Sequence, residues 1–224
     1  MKYLIVNGDD FGGSHGINRG ILEAHRDGIL TSASLFVDRV GSQEAAALAQ
    51  DVSGLSVGLH ADLDGLEPQR VRVELLRQLA RFEVLVGRPP THLDSHHNVH
   101  RSPDVRDDVL AVAAEHGLMV RDFSRVRYVS EFYGQGSGRT DLASIGPLAF
   151  VELLRTRLEE GLTELGCHPG YVDSGLVSGY RLEREQELRT LCDPSVREAI
   201  RDMGVALVSF SDVPHILSNP ATEI

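Results

Sequence analysis

Short apolar runs alternating with helix-length segments along nearly the whole chain restrict this sequence more than any other feature. Tyr3–Val6, Thr31–Val37, Leu55–Leu59, Thr91–Asp94, Leu118–Val120, Thr163–Cys167 and Val205–Phe210 read as strands. Between them Ile17, Ile21, Leu22 and Ala24 keep helical spacing up to Gly28, and Ser42 caps a helix reaching about Gln50. Further helices are expected over about 71–86, 103–116, 147–160, 182–190 and 194–203. Strands separated by helices imply parallel β/α units. Seven such strands predict an α/β chain folded as a distorted TIM-like (β/α) barrel, a single catalytic domain over residues 1–224. That length is short beside the roughly 250 residues of a full eight-fold barrel, and a doubly wound open sheet is the rival.

The ends of these strands carry the chemistry. Thr91-His-Leu-Asp-Ser-His-His-Asn-Val-His100 places His92, His96, His97 and His100 around Asp94 where a strand gives way to a turn. Asp9 and Asp10 follow the first strand, His60 the third, Arg121 the fifth and His168 the sixth. A lone histidine or an Asp-Asp pair at such a place is ordinarily a solvated side chain or a helix cap. Five placements at the same end of parallel strands converge on one face of a barrel. Two imidazoles and a carboxylate make a metal site with open positions, and a second carboxylate kept off the metal serves as general base. His100 lies four residues after His96 and would share its face on a helical turn, while Asp94 is placed to hold a ligating histidine. Gly12-Gly13 has neither P-loop nor dinucleotide spacing.

Residues 126–146 mix glycine and serine with Tyr128, Phe132 and Tyr133. They are expected to form a mobile loop whose aromatic faces meet a sugar ring, and 218–224 a frayed tail. A net charge of −11 without a basic stripe excludes a nucleic-acid surface. Cys167 and Cys192 make no disulfide framework, and no apolar run approaches the roughly 20 residues of a membrane span. The opening Met-Lys-Tyr-Leu-Ile-Val is too short for a signal-peptide core, so a cytoplasmic protein is expected. Its oligomeric state, a homodimer included, is open.

Asn7-Gly-Asp-Asp-Phe-Gly12, Val57-Gly-Leu-His60, the stretch 91–100 and Cys167-His-Pro-Gly-Tyr171 resemble the four motifs of the YdjC-like (ChbG/HpnK) carbohydrate deacetylases, in the family's order. Two positions depart from the family pattern: Gly8 stands for alanine, and Asn98 for the last of three histidines. The resemblance implies a metal-dependent hydrolase removing the acetyl group of a small N-acetylated sugar. It implies Asp10, His60 and His96 as ligands of one divalent ion, Asp9 as base and His168, as imidazolium, as acid. Arg121 would orient Asp9, with Asp94, His100, Tyr171, Phe132 and Tyr133 near the substrate or behind the ligands. Magnesium follows from the family, zinc or another transition metal from the histidines. A metal-dependent sugar or sugar-phosphate isomerase or aldolase on the same barrel is the alternative.

Overall fold

The first apolar run does not stop at Val6: β1 (Lys2–Phe11) takes in the acidic residues and is buried from Leu4 to its end. In the computed structural model, which describes residues 1–136, 139–176 and 178–218, it leads to α1 (His15–Arg26), β2 (Ser32–Leu35), α2 (Ser42–Asp51), β3 (Ser56–Ala61), α3 (Pro68–Val86) and β4 (His92–Ser95). A 3-10 segment over His96–Arg101 precedes α4 (Pro103–Glu115), β5 (Met119–Val120), β6 (Arg127–Val129) and a hairpin of β7 (Gln135–Gly136) and β8 (Arg139–Thr140). Then come α5 (Pro147–Arg157), β9 (Gly161–Cys167), α6 (Leu182–Leu191), α7 (Pro194–Asp202), β10 (Val205–Leu207) and α8 (Val213–Ser218). The expected tail falls mostly at 219–224, outside the described residues.

Eight strands form one parallel sheet in the order β5-β4-β3-β2-β1-β9-β6, with β10 also on β1. β1 pairs with β10 through Lys2–Leu4 and with β2 through Asn7–Phe11, so two strands share one flank of it at different heights. The sheet curls into a half-barrel. β5 and β6 are its edges, and among the described residues no ladder joins them.

Strand periodicity sorts the side chains into two faces. Leu4 and Val6 join the large core beneath the helices, whereas Ile5 packs with Val126, Leu162, Phe210 and Val213 in a second, smaller cluster. Continuing upward in steps of two, Ile5 is followed by Asn7 and Asp9, and Leu162 by Glu164. The lining of the curl thus passes from an apolar floor to a buried polar layer.

Four expectations change here. The third strand runs to Ala61, so His60 lies inside it. Ser42 is the first residue of α2 and not its cap; its hydroxyl accepts the Arg39 N–H at 2.9 Å. The expected loop over 126–146 contains β6, a strand of the main sheet, in register with β9 (Tyr128 opposite Glu164), as well as the hairpin. Phe132, expected to meet sugar, is 1% exposed and edge-on to Phe150 at 4.8 Å. It is core. Phe132→Ala is expected to lower unfolding stability by about 3–5 kcal/mol in a denaturant titration; an unchanged midpoint would return Phe132 to the substrate side.

Candidate active site

The polar layer opens into a cavity of about 280 Å³ lined by Asp9, Asp10, His60, Ser95, His96, His97, Asn98, Tyr128, Ser130, Tyr133, His168, Ser178, Tyr180 and Arg184. Adjacent residues of a regular strand face opposite ways, yet Asp9 and Asp10 both reach it. Asp10 has a φ of 66°, and the β1–β2 register shifts between Gly8 and Phe11. This bulge turns the second carboxylate toward the first, in a left-handed conformation that Asp tolerates better than most residues.

Arg121, at the end of β5, organises the carboxylates. Its Nη1 and Nη2 donate to both oxygens of Asp9, each at 2.8 Å. Its Nε and Nη2 donate to Glu164 Oε1 at 2.9 and 2.6 Å, and Nη2 lies 2.8 Å from Asp94 Oδ2. Burial disfavours this charge, but Asp9, Asp94 and Glu164 outweigh it and hold the guanidinium protonated. Burial pushes the Glu164 carboxyl up to about 7 against the pull of Arg121.

Asp94 links Arg121 to His60. Its Oδ1 lies 2.6 Å from His60 Nδ1, and its Oδ2 accepts the Ser34 hydroxyl at 2.6 Å. Ser34 in turn accepts the Asn7 amide at 2.8 Å. With Nδ1 engaged, His60 presents Nε2 to Asp10 Oδ1, 3.3 Å away. Burial lowers the His60 pKa, but Asp94 and Asp10 overcome it and raise it to about 10. Burial likewise raises that of Asp10, and Arg184, whose Nη2 donates to Oδ2 at 2.5 Å, together with His60 brings it well below the carboxylate range.

A cation fits this corner on two counts. Asp10 Oδ1 is buried without a hydrogen-bond partner beside His60 Nε2. His60 is oriented through Nδ1 by a carboxylate, the arrangement that readies Nε2 for a metal. The His96 ring lies 5.8 Å from that of His60, its Nδ1 2.7 Å from Asp64 Oδ2. The ligand atoms of Asp10, His60 and His96 are not gathered within 4.8 Å of one another; among the described residues that closeness is found for Asp9, His60 and Asp94, and for Asp64, His96 and His97.

His168 follows β9 with Nε2 4.0 Å from Asp9 Oδ2. Its backbone N–H donates to Glu187 at 2.5 Å, and its ring is edge-on to Tyr133 and Tyr180, which stack on each other at 4.6 Å. Burial lowers the pKa of this ring below the ordinary imidazole value, with Asp9 and Asp10 opposing.

Two expected participants lie elsewhere. His97 and Asn98 have φ of 51° and 54°, which breaks the turn that would have aligned His100 with His96. His100 is buried against Ser95 Oγ at 2.7 Å and does not line the cavity. Tyr171 donates to Glu23 at 2.7 Å under the Arg19 guanidinium and also stays outside it. The structure adds Glu164, Arg184, Glu187, Ser34, Asn7 and Asp64 to the residues read from sequence. Of these, Glu164 carried a signal as the one charge inside an apolar strand, and Asn7 as the first residue of the motif at 7–12.

Fold and site together define an α/β half-barrel protein with a buried carboxylate–histidine centre at the carboxyl ends of its strands. The YdjC-like protein family matches residues 3–70 and 64–202, and the chain belongs to that family. It is 34% identical over 251 aligned residues to the chitooligosaccharide deacetylase of Serratia marcescens, covering 95% of this chain and 99% of the relative. Among solved structures, an Enterococcus faecalis protein named for cellobiose-phosphate cleavage superposes with a TM-score of 0.83 at 26% identity, covering 95% of this chain and 98% of that one. A family 4 acetyl xylan esterase from Clostridium thermocellum, solved with a cobalt ion, shares the fold at a TM-score of 0.63 and 14% identity, covering 98% and 93%. Among the described residues no helix is long and apolar enough to cross a membrane.

Proposed function

We propose that this chain is a carbohydrate deacetylase, a hydrolase that cleaves the amide of an N-acetylated sugar to acetate and the free amine. The observation that carries the reading is Asp9, clamped by Arg121, facing His168 Nε2 at 4.0 Å across a cavity wall. That spacing lets one attacking water touch both a base and a proton carrier. The family and the Serratia relative support the substrate class.

Asp9 accepts the proton of the water that attacks the acetyl carbon, and the Arg121 clamp keeps its oxygens aimed. His168, neutral at rest, gains that proton during turnover and delivers it from Nε2 to the departing nitrogen. Asp10, His60 and His96 would hold a divalent cation, magnesium by family or zinc by ligand type. When bound, such an ion supplies positive charge at the acyl oxygen and makes water more acidic. Ser130, Tyr133 and Ser178 border the same cavity and would meet the sugar.

The test is acetate release from a panel of N-acetylated mono- and oligosaccharides, before chelation, after it, and after adding back single metals. Activity lost on chelation and restored by a divalent ion is expected. No acetate from any sugar with any metal would sink the reading.

A further inference from the structure

We propose that the Tyr128 hydroxyl is a catalytic hydrogen-bond donor, meeting the acyl oxygen of the bound N-acetyl group as that oxygen becomes negative. The inference rests on the deacetylase reading and adds to it a residue that touches the reacting atoms.

Tyr128 belongs to β6, and three constraints fix where its phenol sits. The strand is in register with β9, Tyr128 opposite Glu164. The ring lies against the Arg121 guanidinium, 4.4 Å from ring centre to the guanidinium carbon, and Arg101 stands at 5.3 Å. The hydroxyl rests over Gly166, where an added Cβ would come within 2.5 Å of it, so glycine there is what makes room for the phenol. Gly166 is opposite Asn7 on β1. Asp9 and His168 each lie two residues further along their chains, on the same side. The phenol oxygen is therefore seated just below the gap between the proposed base and proton carrier, in the wall of the same cavity.

The hydroxyl is also unspent. Among the described residues it makes no hydrogen bond to protein, although Tyr180, in the same wall, both accepts from the Gly134 N–H at 2.8 Å and donates to Glu187. Tyr128 is part-buried and its oxygen is not sealed from solvent, so the O–H is left for whatever occupies the cavity, water at rest and substrate when bound. Burial pushes the phenol far above its ordinary range, so it keeps its proton and acts as a donor at every working pH. Such a fixed donor in an enclosed site gains strength as charge develops on its acceptor.

Tyr128→Phe retains the ring against Arg121 and removes only the hydroxyl. The variant should keep its melting temperature and cation content, lose about 10²-fold in kcat, and hold KM within about threefold. A methylphosphonamidate of the amino sugar, tetrahedral and anionic like the reacting centre, should bind the wild type more tightly than the variant by a similar factor, while the N-acetyl sugar binds both alike. An unchanged kcat, or a loss confined to KM, would overturn the proposal and make Tyr128 a packing or ground-state contact. If the wild type releases no acetate, the deacetylase reading fails on its own, and equal analogue binding to the two proteins then overturns the role of Tyr128 as well.

Discussion

Asp9→Asn is expected to lower acetate release by about 10²–10⁴-fold, the worth of a general base, while the protein still takes up its cation. The two adjacent carboxylates are held by different partners. Asp9 accepts two hydrogen bonds from Arg121 and one from the Asn7 amide at 2.8 Å, whereas Asp10 is paired to Arg184 and faces His60. An asparagine at position 9 keeps one acceptor for Arg121 but cannot take a proton from water. Arg121 retains Asp94 and Glu164, so its buried charge is not stranded and the site should hold its shape. Cation stoichiometry by elemental analysis and kcat by acetate release separate the two jobs. Asp10→Asn is the comparison: it should lose cation first and activity as a consequence. Equal loss of cation from both variants would show that the carboxylates share one role.

The seven strands read from sequence are all present, because runs such as Tyr3–Val6 and Thr163–Cys167 are buried on both faces and need no partner to be recognised. The strand-end residues Asp9, Asp10, His60, His96 and His168 were legible for the same reason and do line one cavity. β6 was hidden because its three residues sit in glycine- and serine-rich surroundings and become a strand only against β9. The meeting of Asp9 and Asp10 depends on a bulge, and the separation of His96 from His100 on two consecutive left-handed residues, neither of which hydrophobic periodicity encodes. Arg184 was invisible for another reason. Helix α6, Leu-Glu-Arg-Glu-Gln-Glu-Leu-Arg-Thr-Leu, reads as a solvated helix, yet it buries Glu183, Arg184, Glu187 and Thr190. Charged groups are buried only with partners, and these have Asp10 and the His168 backbone, from other strand ends, and Tyr180, just ahead of the helix.

Cation uptake by the metal-free protein should release a proton from His60 at neutral pH, and apparent affinity should rise by about tenfold per pH unit until pH approaches 10. The sign follows from the shift. The His60 pKa in the folded protein is raised to about 10 from an ordinary 6.5. The ring is therefore an imidazolium across the working range, and Nε2 has no lone pair for a ligand until its proton leaves. The same shift makes the contribution of His60 to metal-free stability fully present below pH 6.5 and lost as pH rises through about 10. Titration calorimetry in two buffers of different protonation enthalpy counts the released protons at pH 7 and pH 9. Asp94→Asn removes the charge that does most to raise the His60 pKa, so it should flatten the pH slope. It should also weaken cation binding by about 10–100-fold, since Asp94 aims the ring through Nδ1. Uptake at pH 7 with no proton released would exclude His60 from the ligand set and leave the Asp64, His96 and His97 group as the place to look for the ion.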